Sequence, residues 1–147
     1  MSGTLDVTTV TNSIAALSIS GVTVKDSDQI AAAIGLGFAV LCPRPDNFIT
    51  GFSANSVNIN KTALDIRYTL NYQYFHCEIG GDLFSDYSPM LAKIALIIKA
   101  FSDDGTLTGA IDNGTPRIGS IRPISDPSGN VYHGCDVSID VLQFLEV

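Results

Sequence analysis

The sequence predicts an α+β fold: a mixed, mostly antiparallel sheet with long hairpin strands and two or three helices packed on it. Three stretches carry that prediction. From Leu64 to Tyr74, apolar and polar residues alternate without interruption, the period of a strand with one buried and one wet face. From Val131 to Val141 the same period returns. Between them, Met90, Leu91, Ile94, Ile97, Ile98 and Phe101 recur at helical spacing. With 147 residues, the chain suits a single domain spanning 1–147, able to bury roughly 68–70% of its unfolded surface.

The elements follow in chain order. Val7, Val10, Ile14 and Leu17 predict an N-terminal helix, which the β-branched threonines at 8, 9 and 11 weaken. Val22-Thr23-Val24 reads as a short strand. Asp26 and Gln29 form a capping pattern that opens a short helix closed by Gly35. Phe38 to Cys42 is an apolar strand stopped by Pro43 and Pro45. Phe48 to Ile59 is extended but changes phase, so a bulge or bend is expected within Ser53–Ser56. Asn60-Lys61-Thr62 turns the chain into the Leu64 strand as a hairpin. At about 3.3 Å per residue, the run Leu64–Tyr74 reaches roughly 36 Å, against the usual ~17–20 Å. Such a length suggests a ribbon that reaches a neighbouring molecule.

Ile79 to Tyr87 reads as a glycine- and aspartate-rich loop. Ser88 is the expected N-cap of the helix Pro89–Phe101, with Pro89 preset for its first turn. Leu96 falls on the opposite side of that helix, between Lys93 and Lys99. Asp103-Asp104-Gly105, Asp112-Asn113-Gly114 and Asp126-Pro127-Ser128-Gly129-Asn130 are turns. In the last strand Val131, His133, Cys135, Val137, Ile139 and Val141 share a face opposite Asp136, Ser138 and Asp140. From Leu142 and Phe144 the apolar pattern flips, so that both faces become covered or the strand bends.

Composition narrows the function. There are 15 acids against 8 bases, a net charge of −7, so phosphate would be repelled and not gripped. No apolar run reaches the ~18 residues of a membrane span. Met1-Ser2-Gly3-Thr4 lacks the basic region and apolar core of a secretion signal, which makes cytoplasmic synthesis the expectation. Cys42, Cys77 and Cys135 are odd in number and widely spaced, as reduced, buried thiols would be.

Catalytic and metal chemistry find little to stand on. His76 and Cys77 are neighbours in a strand and point to opposite faces, so they cannot share an ion. His133 and Cys135 do share a face, but at no established zinc spacing. Cys135 lies in an apolar stripe that would keep its thiol protonated and inert. Gly35-Leu36-Gly37 precedes a strand, the reverse of the order a phosphate loop needs. No catalytic residue, metal ligand or cofactor-binding residue is nominated, no cofactor is expected, and an enzyme is not the expectation.

One succession of motifs points elsewhere. Pro43-Arg44-Pro45-Asp46-Asn47-Phe48 follows a short apolar strand. Tyr68-Thr69-Leu70-Asn71-Tyr72 comes next, and then Ser125-Asp126-Pro127, Gly129-Asn130 and His133-Gly134-Cys135-Asp136. In that order and spacing, over about Val22 to Val147, the chain resembles small neck proteins of long-tailed bacteriophages, most closely the tail-terminator (tail-completion) group. The resemblance implies a virion protein made in the host cytoplasm. It would form a six-fold ring at the head-proximal end of the tail tube, halting tube polymerisation and facing the head connector. The implied partners are further copies of itself, the tail tube protein and a head–tail connector or stopper protein, with DNA passing unbound and no membrane involved. A head-completion or stopper role is the near alternative, and a soluble ligand-binding α+β domain the distant one. Two surfaces are nominated. Arg44, Asp46, Phe48, Phe52 and Leu96 are candidates for the subunit interface. Asp82, Asp86, Asp103, Asp104 and Asp112 are candidates for lining a channel.

Overall fold

The computed structural model describes residues 5–25, 39–56, 63–78, 83–125, 129 and 131–146, the side chains of 77–78, 83–86 and 146 excepted. In chain order these form α1 (Val7–Ala15), β1 (Thr23–Val24), β2 (Val40–Pro43), β3 (Ile49–Ser56), β4 (Ala63–Glu78), α2 (Leu83–Asp103), β5 (Asn113–Ile118), β6 (Arg122–Ser125) and β7 (Val131–Glu146). The α+β class therefore holds: two helices stand against one seven-stranded mixed sheet among the described residues.

The sheet is built on β4 and β7, each 16 residues long and antiparallel from Ala63 opposite Glu146 to Glu78 opposite Tyr132. The alternation of β4 is as expected. Ile66, Tyr68, Leu70, Tyr72 and Tyr74 are buried, while Asp65, Thr69, Asn71 and Gln73 are half-buried and Arg67 is exposed. Each long strand carries two short strands end to end along its outer side. β2 and β3 both run antiparallel to β4, with Pro43 opposite Tyr72 and Ile49 opposite Leu70. β5 and β6 do the same along β7. β1 adds a parallel pair outside β2.

β5 and β6 escape the sequence reading, which makes Asp112-Asn113-Gly114 a turn. The strand begins at Asn113, and Pro116, Gly119 and Pro123 disguise the rest as loop. Proline is tolerated here because these are edge strands. After Val141 the buried row does not change phase, and of the two expected outcomes it is the covering of both faces that is found. Gln143 is 2% exposed and Leu145 3%, continuing the buried row, while Leu142 and Phe144 stay half-buried on the other face. Gln143 is accommodated because Tyr68 Oη donates to its Oε1 and its Nε2 donates to the Ala110 carbonyl, both at 3.4 Å.

The helices cover one face of the sheet. α1 forms despite its threonines because Asp6 caps it, accepting from Thr9 N at 3.2 Å and Thr9 Oγ1 at 2.7 Å. Val10 and Ile14 are fully buried, a tertiary gain that outweighs weak propensity. α2 begins at Leu83, well before the expected Pro89, so Ser88 is not its N-cap and Pro89 lies inside it. The early turns are tied down by Tyr87, whose ring centroid lies 5.7 Å from that of His133 on β7. Met90, Ile94, Ile97 and Phe101 face the core, whereas Leu91, expected in the same arc, is 50% exposed. Leu96 is half-buried against the core. Lys93 Nζ donates to the Ser20 carbonyl at 2.9 Å, which brings the chain after α1 over that flank of α2.

A smaller cluster of Val40, Cys42, Phe75, Ile124 and Tyr132 packs on the opposite face at one end of the sheet. Beside it β4 is bulged at His76: Phe75 pairs with Gly134, and Cys77 with the adjacent His133. Gly134 is the close approach that permits this, since a Cβ there would collide with the Tyr74 carbonyl oxygen and the Ile124 side chain. The proposed 26–35 helix, Phe38, Val57 and Ile59, the 60–62 turn and most of the 126–130 turn lie outside the described residues. Ser56 opposite Leu64 nonetheless makes β3 and β4 a hairpin.

Candidate assembly surface

β3 is the feature the chain's own core does not explain. Its eight residues are exposed at every position but Ser53, which is half-buried. The phase change expected within Ser53–Ser56 is present slightly earlier. Thr50 pairs with Thr69 and Ser53 with Arg67, so Gly51 and Phe52 together oppose Tyr68. Gly51 takes φ +64°, a conformation that glycine adopts without a Cβ penalty. The bulge brings Phe52 onto the same face as Ile49. Ile49 pairs with the core residue Leu70, and Phe52 stacks on Tyr68 with centroids 6.3 Å apart. Both side chains remain largely open, Ile49 at 42% and Phe52 at 55%. From Asn47 to Ser56 there is no charged residue.

The excursion between β2 and β3 is pinned by Asn71. Its backbone carbonyl accepts from Arg44 N at 3.0 Å and its N–H donates to the Phe48 carbonyl at 2.8 Å. Its side-chain Nδ2 donates to the Asn47 carbonyl and to Thr50 Oγ1, both at 2.9 Å. Arg44 and Asp46 form an ion pair of 3.3 Å on this excursion. Phe48 turns inward, edge-on to Tyr72 at 5.7 Å, and packs against the core. Of the nominated interface residues, Asp46 and Phe52 are thus exposed, Arg44 and Phe48 half-buried. Leu96 is half-buried against the core of its own chain and lies on α2, not on the Arg44–Phe52 segment that bears the others.

Beyond the small apolar cluster at one end, the other sheet face carries a ladder of paired charges. Arg67 pairs with Asp65 at 3.0 Å, Arg117 with Asp140 at 2.6 Å and Arg122 with Asp136 at 2.9 Å. Ser138 Oγ donates to Asn71 Oδ1 at 2.9 Å between the first two pairs and the third. A shallow concavity of about 240 Å3 lies at this ladder, lined by Gly51, Arg67, Thr69, Asn113, Thr115 and Asp140 among others.

The nominated channel acids are engaged within the chain wherever their side chains are described. Asp82 and the side chain of Asp86 lie outside the described residues. Asp103 is paired with Lys99 at 2.5 Å. Asp104 accepts from Thr108 N and Oγ1 at 2.9 and 3.0 Å, holding the turn after α2. Asp112 accepts from Phe144 N at 2.6 Å, fastening the start of β5 to β7. The last two are occupied with the chain's own backbone, a task that the turn signals at these positions already suggested.

The thiols and imidazoles are dispersed. Cys42 and Cys135 are buried on opposite faces of the sheet. Burial, with a smaller push from Asp136, raises the Cys135 thiol to about 11. His133 is buried beside Tyr87, and Tyr74 Oη lies 2.8 Å from His76 Nδ1. Among the described residues no three His, Cys, Asp or Glu side chains converge as a metal site, and no helix is long and apolar enough to cross a membrane. No protein-family model matches the chain, and no curated protein matches it.

Proposed function

We propose that this protein is a structural subunit of the neck of a long-tailed bacteriophage, of the tail-terminator kind. It would form a ring at the head-proximal end of the tail tube, end tube growth and join the tail to the head around a DNA passage. The observation that carries the reading is β3: an eight-residue strand, exposed along nearly its whole length, uncharged and bearing Ile49 and Phe52 outward. A strand that contributes so little to its own core is suited to contact with another molecule, through main-chain hydrogen bonds and apolar burial. The order of the Pro43–Phe48, Tyr68–Tyr72 and His133–Asp136 motifs supplies the family. An excess of acids favours passage of DNA over retention.

The test is location. Gold- or fluorophore-labelled protein should mark one end of each tail, the end that joins the head, in electron micrographs of assembled particles. In tails assembled without it, the tube should overrun its normal length. Label along the whole tube, or on no virion structure, overturns the reading.

A further inference from the structure

β5 opens with the dipeptide Asn113-Gly114. In such a pair a backbone nitrogen readily attacks the preceding carboxamide, because glycine carries no side chain to obstruct it. Asn113 is exposed, so water reaches it. Two features nonetheless hold the pair unreactive. Asn113 is paired antiparallel with Leu142, an extended backbone that turns Gly114 N away from the carboxamide carbon. Gly114 N–H donates to the Gly105 carbonyl at 2.8 Å, so the attacking nitrogen is engaged and its proton is withheld from solvent. A third feature keeps the dipeptide in the chain. A Cβ at Gly114 would lie 2.9 Å from Cδ1 of Ile111, a side chain 4% exposed, so the packing beneath β5 calls for glycine.

We propose that Asn113 is a latent deamidation site, shut while β5 is docked on β7 and opened when β5 detaches. On detachment the Gly114 nitrogen gives its proton to solvent and bonds to Asn113 Cγ. The Cγ–Nδ2 bond breaks, and the side-chain nitrogen takes a proton from solvent and leaves as ammonia. Water then opens the cyclic imide at either carbonyl, giving aspartate or isoaspartate at this position. Detachment involves little else of the sheet, since β5 stands at the end of the strand order and pairs with β7 alone among the described strands. The isoaspartate product acts as a one-way mark. It inserts a further carbon into the main chain between the partners of Leu142 and Ser138, Asn113 and Arg117, so both can no longer keep register. The modified strand then redocks without the Arg117–Asp140 pair.

Nothing in this chemistry depends on the neck reading. Full-length protein is incubated in mildly alkaline buffer, folded and in guanidinium chloride, then digested at mildly acid pH. Residue 113 is scored by peptide mass and by isoaspartate content. With the detached state at about 0.1–10% of molecules, the folded protein should react about 10- to 1,000-fold more slowly than the denatured chain. Arg117→Ala, which removes the ion pair holding β5 to Asp140, should speed the folded reaction about two- to fivefold. Arg122→Ala, which removes the pair between β6 and Asp136, should leave it unchanged. In denaturant all three proteins should share one rate, since neither arginine adjoins Asn113 in sequence. Equal rates in the folded and denatured chains overturn the proposal, as does an Asn113 that stays intact in denaturant. So does an Arg117→Ala variant that reacts no faster than the parent, or an Arg122→Ala variant that is accelerated as much.

Discussion

The guanidinium of Arg117 on β5 lies across the carboxylate of Asp140 on β7, Nε to Oδ2 at 2.6 Å and Nη2 to Oδ1 at 3.1 Å. Thr69 of β4 donates to the same Oδ1 at 2.8 Å, so one carboxylate ties three strands together. The Arg117 hydrogen bond is the main reason Asp140 titrates below the usual carboxylate range. Its contribution to stability is therefore complete above the unfolded value near 3.9 and is lost as pH falls through the lower folded value. Arg117→Ala should cost about 0.5–1 kcal/mol at neutral pH, little because the pair is partly exposed. That gap should close on acidification. Urea unfolding of both proteins across the acid range checks it, and a gap that persists once Asp140 is protonated would contradict an ionic origin.

Gln143 should behave as a core residue. Truncation to alanine removes the acceptor of Tyr68 Oη and the donor to the Ala110 carbonyl, leaving both in a site 2% exposed. A loss of about 1–3 kcal/mol is expected, and Tyr68→Phe in the same background should recover part of it. A double-mutant cycle by chemical denaturation measures the coupling.

Gly134→Ala should be among the most damaging single-methyl additions. The new Cβ meets the backbone carbonyl of Tyr74, which is fixed within the β4–β7 ladder, as well as Ile124. Overpacking of this kind costs about 1–3 kcal/mol or more. Thermal unfolding reads it, with Gly129→Ala as a contrast: it meets no neighbouring atom, and its strain comes from φ +88° alone.

On α2 the two leucines should respond oppositely. Leu91→Lys, at a position 50% exposed, is expected to stay within about 0.5 kcal/mol of wild type. Leu96→Lys disrupts packing against the core and should destabilise measurably more. Equal effects in a melting comparison would mean that the flank beside α1 is not closed.

Cys135 should resist a water-soluble thiol reagent near pH 8 in the folded protein and react promptly in urea, because burial lifts its pKa to about 11 and excludes the reagent. Labelling followed by peptide mass mapping distinguishes it from Cys77.

The long strands were readable because one face of each is buried without relief, and a period of two over eleven residues admits no other conformation. The helix from Pro89 was located but begun too late. Proline marks first turns so often that the contact of Tyr87 with His133, invisible in sequence, was needed to extend it backwards. Gln143 broke the apolar row and suggested a flip, although a paired amide can occupy a core position. The exchange of Leu91 and Leu96 has the same root, since periodicity fixes an arc but not which flank another segment covers. Of the candidate surface, Phe52 was named from the sequence, but its stacking on Tyr68 across the bulge was not. Asp104 serves the turn signalled at its own position, reaching Thr108 four residues on, whereas the partner of Asp112, Phe144, lies far along the chain.

The pairing of Ala63 with Glu146 and of Glu78 with Tyr132 has a consequence for biosynthesis. β4 leaves the ribosome well ahead of β7, with α2, β5 and β6 translated in between, so the tyrosine-rich side of β4 must wait without its principal companion. Helical segments can form as they emerge, but the central ladder requires closure of a long intervening loop. Native structure should therefore arise after translation of β7 in one late, cooperative step, and nascent chains arrested before Val131 should remain sensitive to protease.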